Sequence, residues 1–266
     1  MAALTLERMP SVPALATRLR DTTALIGRSV RRSTRQTDTL LISVLLPVMI
    51  LLMFVYVFGG AIDSGQTSYV DFVVPGIIIL TAGYGASSTA VDVANDVHGG
   101  IVDRFRSMPI RPTGVLTGHV VASLLRNAVS AALVIGVALL IGFDAAASFG
   151  AWVAALGIIA AYVLAMSWIA VAIGLVASGP EAASGFTFGM LFIPYVSSAF
   201  VPVDSMPAVL AAIGAWNPVT PIADMVRNLL LGASVETSTV LAAVAWCTGL
   251  LAVGLVASSL LFRRRR

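Results

Sequence analysis

Hydrophobic residues run in six long stretches along this chain, at residues 40–58, 72–94, 115–141, 152–177, 186–203 and 240–262, with charged residues almost confined to the gaps between them. About 20 helical residues cross a hydrocarbon core of roughly 30 Å, so each stretch has the length of one transmembrane helix. Barrel strands would need segments of about ten residues with alternating polarity, and these stretches do not alternate. The pattern predicts an all-α polytopic membrane protein with six crossings.

The N-terminal residues 1–39 follow a different period. At about 100° per residue, Leu15, Leu19, Ile26 and Val30 fall on one side of a helix, and Arg18, Arg20, Arg28, Arg31, Arg32 and Arg35 fall on the other, with Leu25 out of place. An amphipathic helix lying on the cytoplasmic lipid surface is expected; a disordered basic tail is the alternative. About forty arginine-rich residues before the first apolar run are unlike a cleavable signal peptide.

Charge sets the orientation, because arginines of short loops stay on the cytoplasmic side. Arg8, Arg18, Arg20, Arg28, Arg31, Arg32 and Arg35 precede the first run; Arg104, Arg106 and Arg111 follow the second; Arg263, Arg264, Arg265 and Arg266 end the chain. Both termini are therefore expected on the cytoplasmic side of the membrane. The turn at 178–184 carries no arginine, and its cytoplasmic side follows only from counting crossings. The domain reading is a single transmembrane domain over 1–266, made of the cytoplasmic segment 1–39, a membrane body over 40–262 and the tail 263–266.

Composition agrees, with 58% hydrophobic and 11% charged residues: a chain this apolar uses lipid as its solvent. All sixteen basic residues are arginine. A nucleotide-binding P-loop needs a lysine on the phosphates, so this chain has no standard ATP motor, and nothing in it calls for nucleic acid. Cys247 is the single cysteine and sits in an apolar run, which points to a packed thiol. His98 and His119 have no partner spacing for a metal site and read as polar loop or helix-end residues. No catalytic, metal or cofactor site is predicted.

Two segments carry a resemblance. Residues 95–112, NDVHGGIVDRFRSMPIRP, and residues 200–207, FVPVDSMP, followed by Trp216-Asn217-Pro218 and Arg227, resemble the ABC type-2 exporter permeases, in particular their daunorubicin-resistance branch. With six runs and a basic amphipathic start, the resemblance covers nearly the whole chain. One departure is His98, where the family commonly has an acid before the loop glycine. The resemblance implies a permease subunit, homodimeric or heterodimeric with a similar permease, working with a separate ABC ATPase that uses ATP and Mg. It also implies export of lipophilic drugs, antibiotics or lipids.

In the first segment, Gly99 and Gly100 stop one helix while Pro109 and Pro112 delimit the next. A short helix between them would carry Asp103, Arg104 and Arg106 as charges and Phe105 and Met108 as apolar anchors for the ATPase; an ordinary arginine-bearing loop is the plainer reading. In the second, Asn217 can cap a helix starting at Pro218, and Gly232 writes a stop. Residues 207–232 are expected as short helices dipping at the outer face, with Asp204, Pro207, Trp216, Asn217, Pro218 and Arg227 forming an external gate or a structural lid. Gly185 and Gly189 make a G-x-x-x-G pair that suits either packing inside the subunit or a dimer interface.

Two other functions compete. A proton-coupled carrier could use Asp92 and Asp96, which share a helix face at i, i+4, although both lie at the cytoplasmic end of their helix. A membrane enzyme would need convergent catalytic groups, and none are spaced for it.

Overall fold

The computed structural model describes residues 14–35, 37–60, 68–106 and 113–264, and side chains at 14–22, 34–40 and 105–113 lie outside that description. The described residues are helical throughout their regular elements: α1 Ala14–Arg35, α2 Thr37–Met53, α3 Tyr69–His98, α4 Ile101–Arg106, α5 Thr113–Leu140 and α6 Phe149–Val176. Then follow α7 Pro180–Leu191, α8 Ala208–Trp216, α9 Val219–Leu230 and α10 Thr237–Arg264. A π-helical turn, Phe54–Phe58, extends α2.

The bundle is built around α3, which contacts α2, α5, α6, α7 and α9. Its sequence explains this position. Gly76, Ala82, Gly83, Ala86, Ala90 and Ala94 give it a thin profile that lets neighbouring backbones close in, and a Cβ at Gly76 would strike the Ala199 carbonyl. Helix α10 lies at the periphery against α6, where Ser258 Oγ donates to the Trp168 carbonyl at 3.0 Å. The outer faces of α2 and α10 leave Leu41, Leu45, Met49, Leu241, Val253 and Val256 exposed, as expected where the solvent is lipid.

Among the described residues, five helices are long and apolar enough to cross a membrane, or six if the bent pair α8 and α9 counts as one span. The fifth hydrophobic run departs from the single helix expected of it. Its helix begins earlier, at Pro180, and stops at Leu191; a 3-10 turn over Ile193–Val196 follows, and the backbone is irregular from there to Pro202. Pro194 accounts for the break, since it offers no amide hydrogen and its ring collides with the preceding turn. The broken segment nevertheless runs the length of α3. Ser87 and Thr187 hydroxyls meet at 2.8 Å, and Tyr69 donates to the Phe200 carbonyl at 3.3 Å.

Helix α1 forms where the amphipathic period predicts a helix, and one of its faces packs on the bundle. Its inward face is Leu25, Ser29 and Ser33, an i, i+4, i+8 ridge packed on α5. Leu25, which fits no lipid-facing stripe, is the apolar residue buried there, and its backbone comes close to Gly118. Ile26 and Val30 are only partly covered.

The ends of the bundle differ in charge. Arg28, Arg32, Arg104, Arg263 and Arg264 gather at the end that carries α4, together with Asp96, Asp103 and Glu181, while Asp71, Asp144, Asp204 and Glu236 lie at the other. The short turn between α6 and α7 belongs to the α4 end, because Val171 and Leu175 of α6 share an apolar cluster with Val102 of α4.

Candidate functional site

The α4 end is assembled from two adjoining clusters. Gly99 closes α3 through its amide to the Asn95 carbonyl at 2.8 Å. Gly100 then turns the chain with φ +68°, a conformation glycine adopts at little cost. Helix α4 follows at once. Its Val102 is buried among Val93 and Val97 of α3, Leu116 and Val120 of α5, Leu175 of α6 and Phe262 of α10. Asp103 and Arg104 face outward. Val102 thus seats the six-residue helix on α3, at the edge of an apolar cluster that four long helices share.

Beside this cluster Asp96 is fully buried and ties three helices together. Its carboxylate receives Arg28 Nη1 at 3.3 Å, Arg32 Nη1 at close range and His119 Nε2 at 3.1 Å. The two arginines sit one helical turn apart on α1, so both reach the same carboxylate. Each stays about one-third exposed, which keeps part of their hydration and lowers the cost of burying the acid. One level further in, Arg126 of α5 is buried; it donates to Ser33 Oγ at 3.0 Å and Thr89 Oγ1 at 3.1 Å and lies 3.8 Å from Asp92. The two acids considered as a proton relay are therefore each engaged by arginine. His98 is local, its Nδ1 meeting the Ala94 carbonyl at 2.9 Å. His119, by contrast, is part of the Asp96 knot.

At the opposite end, α8 and α9 meet at 76°. Asn217 makes the corner: its Oδ1 accepts from the Val219 amide at 2.9 Å, and its Nδ2 donates to the Ile193 and Val196 carbonyls at 2.7 and 2.6 Å. Three groups left over where helices break are thus satisfied by one side chain. Arg227 of α9 is buried. It donates to the Phe72 carbonyl at 3.1 Å and the Ser198 carbonyl at 2.6 Å, pairs with Asp224 at 2.7 Å, and stacks over the Phe72 ring at 3.9 Å. It therefore binds α9 to α3 and to the broken fifth segment. Gly232, at φ +69°, ends the pair against Ala146 of the α5–α6 connection.

The predicted residues divide accordingly. Asn217 and Pro218 form the corner and Arg227, near the far end of α9, holds the same broken segment at Ser198, whereas Trp216 is 82% exposed and Asp204 lies on the surface; Pro207 sits just ahead of α8. Gly185 and Gly189 meet nothing within 4 Å of an added Cβ, so among the described residues this pair is not used for packing inside the chain. Gly189, Phe192, Ile193, Ala212, Ile213 and Trp216 instead line an open apolar groove of about 750 Å³ between α7 and α8. Of the predicted coupling residues, Gly99, Gly100, Asp103 and Arg104 are placed on and beside α4. The side chains of Phe105 and Arg106, and all of Met108 and Pro109, lie outside the described residues. The sequence reading misses Val102 and the Asp96 knot, although Arg28 and Arg32 at i, i+4 and one acid near the end of an apolar run are its traces.

A profile of the ABC-2 type transporter family matches residues 20–231. The daunorubicin resistance ABC transporter permease protein DrrB1 of Streptomyces coeruleorubidus is 33% identical over 221 residues, which cover 83% of this chain and 78% of that protein.

Proposed function

The chain belongs to the ABC-2 type transporter family, and from that premise we propose that it is the membrane-spanning subunit of an ATP-driven exporter whose ATPase is a separate polypeptide. The observation that carries this reading is the seating of α4. A motor outside the membrane must push on a structured feature, and Val102 and Asp96 connect the α4 region to α1, α3, α5, α6 and α10. The absence of lysine from the sequence removes the phosphate-binding P-loop, so ATP and Mg belong to the partner and this chain holds no cofactor. The α4 end, with its arginines, faces the cytoplasm of the bacterial inner membrane, and both termini with it.

Residues Gly99 to Pro109 form the coupling element, with Arg104, Phe105, Arg106 and Met108 directed at the ATPase. The bent pair α8 and α9 is an external re-entrant gate held by Asn217 and Arg227, and the broken fifth segment is the fifth crossing. Gly185 and Gly189, with open space among the described residues where a Cβ would stand, serve a dimer interface with a second permease. Ile26 and Val30 leave α1 an apolar edge for the lipid surface. Cargo is lipophilic, as the apolar bundle and the relative's daunorubicin resistance suggest.

The test is reconstitution. The purified chain in nanodiscs should hydrolyse no ATP. Co-expressed with its ATPase, it should drive ATP-dependent uptake of daunorubicin into inside-out vesicles. Uptake driven by a proton gradient without ATP, or ATP turnover by this chain alone, would overturn the reading.

A further inference from the structure

Between α2 and α3 a pocket of about 370 Å³ is lined by Ile42 and Ser43 of α2 and, along α3, by Tyr84, Ser88, Asp92 and Asn95. The four α3 residues succeed one another at about one helical turn, a polar stripe about 17 Å long at 1.5 Å per residue on a helix that is otherwise largely apolar and buried. Asp92 is its charged member. The side chain is 15% exposed, and its oxygens accept no hydrogen bond among the described residues. Arg126, which is not part of the pocket wall, stands 3.8 Å away, beyond hydrogen-bond reach; it donates instead to Ser33, Thr89 and the Gly85 carbonyl. Ser88 turns its hydroxyl proton to the Tyr84 and Gly85 carbonyls of its own helix, so it too meets a ligand as an acceptor. A half-buried carboxylate without a donor leaves charge-assisted hydrogen bonds unmade, and these are the strong kind.

We propose that this pocket binds a lipophilic primary amine in its protonated form, the ammonium on Asp92 and Ser88 and the apolar body between Ile42 and the Tyr84 ring. An ammonium brings three donors and a charge; a hydroxyl brings one donor and no charge, and an anion is repelled. Asp96, one turn further along α3, shows the same chemistry, a carboxylate that receives two cationic groups, Arg28 and Arg32. The volume falls within the usual range of small-molecule pockets, about 300–1,000 Å³. Depth agrees as well. Asp92 lies about 9 Å from the end of α3 at His98, and Tyr84 about 12 Å deeper at 1.5 Å per residue, which is how an amphiphilic amine lies in a bilayer, charge toward the headgroups and body among the acyl chains. Ile42 at the rim is 60% exposed, so entry is lateral, from lipid. The ammonium can belong to a free amine or to an aminophospholipid headgroup. Binding requires neither ATP nor a partner, so the site stands or falls apart from the exporter reading.

The probes are pyrenemethylamine and pyrenemethanol, one ring system and linker ending in an amine or a hydroxyl. The full chain in phosphatidylcholine nanodiscs is dialysed at neutral pH against protein-free nanodiscs at the same lipid concentration, and probe fluorescence on the two sides gives binding in excess of partitioning. The amine should bind about tenfold more tightly than the alcohol, the difference between a charge-assisted and a neutral hydrogen bond. Asp92→Asn should bring the amine to the level of the alcohol and leave the alcohol as it was. Ser88→Phe, which narrows the pocket and leaves Asp92 and Arg126 in place, should weaken both about tenfold or more. Nanodiscs of equal parts phosphatidylcholine and phosphatidylethanolamine separate the two ammonium sources: an amine displaced there assigns the pocket to the headgroup, and an amine retained there assigns it to a free molecule. Equal affinities of the two probes in the parent protein, or binding of neither, would overturn the proposal without any variant having to fold. An amine preference that survives Asp92→Asn would overturn it too, as would Ser88→Phe protein that binds both probes like the parent.

Discussion

Arg227 holds Phe72 twice, donating from Nε to its carbonyl at 3.1 Å and laying the guanidinium 3.9 Å above its ring. The same fork reaches the Ser198 carbonyl, so one side chain joins α9, α3 and the broken stretch after Pro194. Arg227→Lys keeps the charge but lacks the planar fork, and at least one carbonyl loses its donor at a cost of about 1–3 kcal/mol. The expected result is a lower melting temperature in detergent and faster proteolysis between residues 197 and 207, with Arg227→Ala worse than Arg227→Lys. Parent-like melting and proteolysis of Arg227→Lys would show that the fork does not hold this region.

The Asp96 knot gives a second expectation. Asp96→Asn removes the charge that Arg28 and Arg32 approach, yet both arginines are about one-third exposed and recover hydration. The loss should be about 1–2 kcal/mol, below the 3–5 kcal/mol typical when a charge is stranded in a fully buried pair. Amide hydrogen exchange in residues 23–33 should speed up, because α1 loses its tie to α3 while keeping its contacts with α5. Unchanged exchange there would mean that the Leu25, Ser29 and Ser33 face holds α1 unaided.

What the sequence discloses follows the range of the forces. Apolar run length is a local property, and all but the fifth run become long helices at nearly the expected places. The Asn217 cap is also legible, since side chain and amide lie two residues apart. The fifth run misleads because hydropathy is blind to one missing amide hydrogen at Pro194. The Asp96 knot joins residues 64 and 68 positions apart, so no spacing rule reaches it. Leu25 looks misplaced for a lipid-facing helix for the same reason: the face that matters is chosen by α5, which the N-terminal segment does not reveal.

The glycine pair of α7 carries a third prediction. Gly185 and Gly189 have open space where a Cβ would stand, so Gly185→Leu and Gly189→Leu should leave the fold and melting temperature of the single subunit intact. If a second permease packs there, the double variant should run as a monomer by native mass spectrometry where the parent runs as a dimer. An unaltered dimer would assign the interface to another face, with the exposed Leu41, Leu45 and Met49 row of α2 the next to test.

The fourth prediction separates the inward and outward halves of the coupling element. Val102 is buried in the apolar cluster shared by α3, α5, α6 and α10, which makes transmission its expected role under the proposed function, whereas Phe105 and Arg104 are the residues proposed to meet the partner. Val102→Ala removes two methyl groups, about 1.5 kcal/mol by methylene counting, and loosens α4 without altering its outer surface. ATPase recruitment should remain near parent level while export per ATP hydrolysed falls. Phe105→Ala should do the reverse, costing about 2 kcal/mol or more of association if it is a central anchor. An Arg104→Ala, Arg106→Ala double variant should weaken recruitment mainly at low salt, where charge attraction matters most. Pull-down of the ATPase and vesicle transport, measured on the same preparations, distinguish these classes. Should Val102→Ala lower recruitment as much as Phe105→Ala, α4 would act as one docking surface rather than a lever. Parent-like transport by every variant would move the coupling element to the turn between α6 and α7, which sits at the same end of the bundle.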